Sequence, residues 1–171
     1  YVKHLYREQY REDIPAILHP LRVAWLLLEL DQYANSKVCI AALLHSVLQD
    51  HLLTPPMIEQ QFGGYVLKLV LSIGETFERE KKFSEDRQLQ QEQWQEIMGS
   101  SHEIRSLKTF DDLDTILSWK LLPASSPAHS SLHLWLTEVR EKVLPLAHAT
   151  NIHAYTLMLQ EYEKLLKMRT D

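Results

Sequence analysis

The sequence predicts an all-α, single-domain helical bundle. Glycine is scarce, four residues in 171, while Leu, Gln and Glu abound, and helix interiors disfavour the first and accept the others. Apolar residues recur at three- and four-residue spacing along most of the chain. No stretch alternates apolar and polar residues as a half-buried strand would, and neither an internal repeat nor an interdomain linker is visible. Residues 1–171 are therefore expected to form one domain, long enough for a substantial core.

The elements follow in order. The spacing predicts a first helix over residues 1–11. Pro20 stands at the start of the next, where its missing N–H costs nothing, and the pattern continues to about Tyr33. Asn35-Ser36 reads as a cap. The helix after it carries a stripe of Val38, Ala41, Ala42, His45 and Leu48, which puts His45 mid-helix on an apolar face. Thr54-Pro55-Pro56 opens a short helix that stops near Gly63-Gly64, and residues 65–73 continue as a buried helix. Residues 75–93 are rich in charge and Gln with weak periodicity, and read either as a surface helix or as a partly mobile lid. Residues 102–121 are helical with Ile104, Leu107, Leu113, Ile116 and Leu117 inward. After a loop at 123–127 come two last helices, 129–147, bent near Pro145, and 151–168.

Composition narrows the functions. A net charge of −5 and a pI near 6.0 argue against a nucleic-acid-coating surface, which needs clustered Lys and Arg. The same values leave room for a local basic pocket. The longest apolar run, Val23 to Leu30, contains Glu29 and is too short to span a bilayer. No secretory signal is recognisable, though the first residue is Tyr1, so further residues are expected upstream. The single cysteine, Cys39, forbids an internal disulfide, reads as an inert core residue and fits a reducing, cytoplasmic setting.

Three segments carry candidate chemistry. His19 precedes Pro20 at a helix start, His45 lies in Ala41-Ala42-Leu43-Leu44-His45-Ser46-Val47-Leu48-Gln49-Asp50, and Asp111 lies on a later helix. Imidazoles and carboxylates from separate helices can converge in a bundle core around a divalent cation, which polarises a phosphoryl oxygen and lowers the pKa of a bound water.

These segments resemble the hydrolase domain of the RelA/SpoT family, HD-type metal-dependent phosphohydrolases, above all its stand-alone small-alarmone-hydrolase form, the metazoan SpoT homologue type. The family reads His-Pro-Leu-x-Val-Ala at its first ligand, and this chain has His19-Pro20-Leu21-Arg22-Val23-Ala24. Its second motif, Ala-Ala-Leu-Leu-His-Asp-x-x-Glu-Asp, is matched from Ala41 to Asp50 with Ser46 and Gln49 as departures. A following Thr-x-x-x-Ile-x-x-x-Phe-Gly is matched by Thr54, Ile58, Phe62 and Gly63. The family's Lys-Leu-Ala-Asp appears as Lys108-Thr109-Phe110-Asp111, and Leu136 to Asn151 resembles its terminal helix pair. The first two motifs are specific and the Asp111 motif is degenerate. Coverage is nearly the whole chain.

The resemblance implies that His19, His45 and Asp111 are metal ligands, with Mn²⁺ the expected ion if any is bound, and that Ser46 stands where a fourth ligand would be an aspartate. Gln49 stands at the family's water-activating glutamate, and Asp50 matches its acidic neighbour. Arg7, Arg11, Lys108, Asp112 and Thr115 fall on or near positions that hold nucleotide. Here too the chain departs, with Asp112-Leu113-Asp114-Thr115 in place of Arg-Leu-His-Asn, and Pro15-Ala16-Ile17 in place of Pro-Tyr-Ile.

The departures have physical weight. Hard cations favour charged oxygen ligands, so Ser46 weakens a site that two His and one Asp would still hold as a facial triad. Gln49 cannot accept a proton, and losing a general base costs roughly 10²–10⁴-fold in rate. Asp50, Glu75, Glu78 or Asp112 would have to approach to compensate. Taken alone, a His on an apolar stripe is more often a satisfied core residue, and Asp111-Asp112-x-Asp114 an ordinary solvated face. His129, His133, His148 and His153 match no motif and read as surface or packing residues. The Arg and Lys candidates could be plain solvated charges, although Arg forks do match phosphate geometry. Trp25, Trp94, Trp119 and Trp135 read as core or rim residues.

The expected function is thus a degenerate HD-family protein, impaired in catalysis, that binds a nucleotide, another phosphorylated small molecule or a protein partner. The alternatives are an active metal-dependent phosphohydrolase on (p)ppGpp or a related nucleotide, and a purely structural or interaction protein. Neither nucleic acid nor membrane is expected as a partner.

Overall fold

A seventeen-residue helix, α7 (His102–Ser118), organises the molecule. In the computed structural model, which describes residues 1–7, 9–11, 14–82, 87–122 and 125–168, it packs against α2 (Leu18–Leu30), α3 (Ser36–Leu44), α5 (Gly64–Lys82), α6 (Arg87–Gly99), α9 (Leu144–Thr150) and α10 (Ile152–Met168). Being surrounded, α7 buries residues on most of its circumference. Leu107, Phe110, Leu113 and Ile116 meet the apolar core, and Ser106, Lys108, Thr109, Asp111 and Asp114 are buried with them. Ile104 and Leu117, also expected inward, are half-buried against that core. Buried polar groups must be partnered, so α7 is where a built site would be sought.

The all-α reading holds, and the caps explain several boundaries. Asn35 accepts from the N–H groups of Lys37 and Val38 at 3.0 and 3.2 Å, fixing the start of α3. Pro55 opens α4 (Pro55–Phe62), which ends at Gly63 with φ +87°, a left-handed value that favours glycine. Helix α2 starts at Leu18 rather than Pro20 and ends at Leu30 rather than Tyr33. Pro20 still lies in the first turn, where no intrahelical donor is required. α8 (Leu132–Glu138) leads into a π turn over Val139–Val143 and then α9. The bend expected near Pro145 takes this form because Pro145 has no N–H to continue the ladder.

Three expectations need correcting. The first helix, α1, covers only Val2–Leu5. The chain then turns and pairs Tyr10–Arg11 (β1) antiparallel with Ile14–Pro15 (β2). The reason is tertiary. Tyr6, just past the end of α1, is drawn into the core, 3% exposed, and its hydroxyl meets Ser46. His45 is not mid-helix: α3 stops at Leu44 and His45 is its C-cap. Trp25 is exposed, whereas Trp94 and Trp119 are buried.

Residues 75–82 and 87–93 are helical in α5 and α6, while 83–86 lie outside the described residues, as do the side chains of Glu75, Glu78 and Arg11. Cys39 is half-buried, and burial followed by the charge of Asp31 pushes its thiol up. Asn151 joins the two ends of the core: its Nδ2 donates to Leu30 O at 2.9 Å and its Oδ1 caps α10 through His153 and Ala154 N–H. No described helix is long and apolar enough to cross a membrane.

Candidate metal centre

The ligand-type atoms of His19, His45 and Asp111 lie within 4.8 Å of one another. His19 comes from the first turn of α2, His45 from the C-cap of α3 and Asp111 from mid-α7. His45 Nε2 stands 3.0 Å from His19 Nε2 and 3.5 Å from Asp111 Oδ1, and His19 Nε2 stands 3.0 Å from that same oxygen.

Both rings are oriented from behind. His45 Nδ1 lies 2.6 Å from Ala42 O. A carbonyl only accepts, so Nδ1 carries the donated hydrogen and Nε2 is left facing the cluster. The contact lies at the C-terminal end of α3, where His45 is the cap residue. His19 Nδ1 lies 2.7 Å from Asp114 Oδ2. Asp114 in turn takes Arg22 Nε and Nη2 at 2.6 and 2.9 Å, and Arg22 Nη2 also donates to Ser118 Oγ at 2.9 Å. A carboxylate or carbonyl behind each imidazole is the usual support of a histidine metal ligand.

The electrostatics point the same way. Burial alone would push His19 down, but the hydrogen bonds and charges of Asp111 and Asp114 outweigh it and raise its pKa to about 9. Burial would push Asp111 up, but His19, His45 and Lys108 hold it below the usual carboxylate range. Asp114 is lowered against its burial by His19 and Arg22. A proton on His19 is therefore what neutralises the crowded acceptors when no cation is bound. Asp111 Oδ1 is buried with no well-aligned donor among the described residues, its 3.0 Å contact with His19 Nε2 being a charge contact only, and a cation between the three groups would satisfy it. The donor set of two imidazoles and a carboxylate fits a divalent ion.

Ser46 is 2% exposed and beside the cluster, its Oγ 3.4 Å from His45 Nε2 and accepting from Tyr6 at 3.3 Å. Gln49 lines the cavity of about 380 Å³ that opens over the cluster, together with Arg22, Asp114, Thr115 and Ser118. Asp50 does not line it, and its N–H bonds Ser46 O at 2.9 Å. Nor do Arg7, Lys108 or Asp112. Arg7 is exposed. Lys108 is buried, its Nζ 2.9 Å from Asp112 and 5.6 Å from the centre of the Trp94 ring.

Sequence reasoning passed over Arg22, Asp114, Ser118 and Tyr6. For three of them a signal existed. Asp111, Asp114, Thr115 and Ser118 recur at helical spacing and make a polar stripe on an otherwise buried helix. Arg22 lies one turn from His19 on the same face. Tyr6 offered no such signal.

A family model for the HD domain matches residues 1–119. A solved structure described as a metazoan ortholog of SpoT, which hydrolyzes ppGpp and plays a role in starvation responses, matches with a TM-score of 0.76 at 21% identity. The match covers 96% of this chain and 90% of that one. At that identity the likeness speaks for the fold.

Proposed function

The chain belongs to the HD-domain family, and from that premise we propose that it is a degenerate phosphohydrolase, 1–171 forming one such domain, which keeps a divalent-ion site and has lost efficient hydrolysis. It acts by holding a nucleotide or a similar phosphorylated molecule, or a protein partner, in or over the cavity. The observation that carries this reading is the pairing of an intact His19–His45–Asp111 cluster with neutral side chains, Ser46 and Gln49, at its edge.

Each residue has a role in this reading. His19, His45 and Asp111 hold the ion, Mn²⁺ being the expected one, with Ser46 a weak neighbour. Such an ion supplies Lewis-acid polarisation of a phosphoryl oxygen and acidifies water. Gln49 can hydrogen-bond a water or a phosphoryl oxygen but cannot take its proton, which removes ~10²–10⁴-fold of rate. Asp50 is not among the residues that line the cavity, so in this reading it does not replace that base. Thr115 lines the cavity with a hydroxyl that donates to Asp111 O at 3.1 Å and can accept from a ligand, whereas Lys108, Asp112 and Arg7 act at most from outside it.

A second reading, an active (p)ppGpp hydrolase, is favoured by the orphaned Asp111 Oδ1 and by the ppGpp-hydrolysing relative of like fold. The deciding experiment measures hydrolysis of guanosine tetraphosphate and a nucleotide panel with added Mn²⁺, beside the double variant Ser46→Asp/Gln49→Glu. No turnover is expected from the natural chain, together with stoichiometric Mn²⁺ binding that His45→Ala abolishes. Turnover that depends on Mn²⁺ and vanishes in His45→Ala would establish the second reading. A chain that binds neither ion nor nucleotide would be a structural or interaction protein.

A further inference from the structure

The cavity lining is made of two chemically unlike sets of residues. One is polar and contains the His19–His45–Asp111 cluster, Asp114, Arg22 and Ser118. The other is apolar, made by Ile14, Pro15, Trp119, Leu121 and Leu122. Among the described lining residues Arg22 is the only Arg or Lys. Asp114 grips it through Nε and Nη2, and Ser118 takes Nη2 again. Nη1 has no partner among the described residues, and one third of the side chain is exposed (33%). A guanidinium locked on two nitrogens and open on the third is pre-organised to bind an oxyanion. It also sits next to the cluster, because Asp114 Oδ2 contacts both Arg22 and His19.

Charge limits the ligand. The lining carboxylates Asp111 and Asp114 outnumber the one guanidinium, and a divalent ion tips the balance to positive. That suits one phosphate group of charge about −1.5 to −2 and not a chain of several. The apolar wall limits the other end. One face of Trp119 is covered by Trp135, stacked at 4.3 Å and 17°, and Ile14, Pro15, Leu121 and Leu122 have no side-chain hydrogen-bonding group. Such a wall favours an apolar body over a ligand that must satisfy many polar edges.

We infer that the cavity takes a phosphate monoester with an apolar body, its phosphate anchored by Arg22 Nη1 beside the cluster and its body against Pro15, Trp119 and Leu122. This rests on the ion site proposed above and names the ligand class of that site. Arg22 is thereby the specificity-determining residue, absent from the His-Pro-Leu-x-Val-Ala pattern as a required position.

The test is calorimetric binding of phenyl phosphate, inorganic phosphate and guanosine tetraphosphate to the full chain, with Mn²⁺ and after chelator treatment. The natural chain, Arg22→Gln and Arg22→Lys are compared, each checked for an unchanged circular dichroism spectrum. Phenyl phosphate is expected to bind more tightly than the other two. Arg22→Gln should weaken it about tenfold or more, the range lost with a charge-assisted bond, a clearly larger loss than that of Mn²⁺ affinity, which Arg22 touches only through Asp114. Arg22→Lys, which keeps charge without the fork, should fall between. An equal loss of Mn²⁺ and ester affinity in Arg22→Gln would overturn the inference, making Arg22 a support of His19 only. So would unchanged ester binding, or tighter binding of inorganic phosphate or of the tetraphosphate. If Mn²⁺ does not bind, the ion reading fails by itself. Binding of phenyl phosphate to the chelated protein, and its dependence on Arg22, then decides the inference separately.

Discussion

His19 Nδ1 lies 2.7 Å from Asp114 Oδ2, a contact across 95 residues that fixes which edge of the imidazole faces the cluster. Asp114→Asn keeps the shape but removes the charge behind the ring and the partner of Arg22. Loss of such a support costs about 10–100-fold in metal affinity. Titration of Mn²⁺ into Asp114→Asn should show a weakening in that range with the fold retained. Affinity equal to the natural chain would mean that His19 is not an ion ligand.

Proton release on ion binding follows from the same pair. His19 is raised from 6.5 to about 9, so its protonated, paired form stabilises the ion-free fold fully below pH 6.5. That contribution is lost as pH rises through about 9. Asp111 and Asp114 are lowered, so their contribution is present above their ordinary 3.8 and lost as pH falls through the depressed values. Without ion, thermal stability should be flat in mildly acid solution and decline as pH rises from 6.5 toward 9. Because Nε2 must lose its proton to ligate, Mn²⁺ binding near neutral pH should release about one proton. Calorimetry in two buffers of different ionisation heat measures this directly. A release near zero would contradict His19 as a protonated ligand.

The helical fold was legible because its signals are local. Asn35, Thr54-Pro55 and Gly63 mark helix ends by chemistry that acts within a few residues, and the α7 stripe shows its period. What was hidden is what tertiary contacts impose. Tyr6 leaves a helical pattern because its ring finds the core. α3 ends at Leu44, one residue before an imidazole that folds back onto the Ala42 carbonyl. Within the site, His19 and Asp111 could be matched to motifs, but the Arg22–Asp114 pairing across 92 residues has no one-dimensional trace. Only the helical spacing on each side hinted at it.

Asn151 should matter more than its half-buried position implies. It caps α10 and also satisfies the carbonyl of Leu30 at the end of α2. Asn151→Ala removes both, and a lost cap plus a lost hydrogen bond costs about 1–3 kcal/mol. Urea unfolding should show a lower midpoint with an unchanged slope. Asn151→Asp retains the cap acceptor but not the donor to Leu30 O, and should lose part of that amount. Equal stability in all three proteins would show that neither bond contributes.

Ser46 provides the sharpest separation between ion site and fold. In Ser46→Asp a carboxylate enters a position 2% exposed, beside Asp111 and beneath Tyr6. Without a cation, a third buried acid then joins Asp111 and Asp114 around one imidazolium, and the thermal midpoint should fall. With Mn²⁺ the same carboxylate becomes a charged oxygen ligand, which hard cations prefer. Affinity should rise about tenfold or more, and ligation of the native state should carry the midpoint above that of the ion-bound natural chain. The sign reversal is the diagnostic, since a merely damaging substitution would lower the midpoint under both conditions. Gln49→Glu alone should leave Mn²⁺ affinity nearly unchanged, because residue 49 lines the cavity outside the cluster. A Ser46→Asp protein destabilised equally with and without Mn²⁺ would remove the cluster from the list of ion sites.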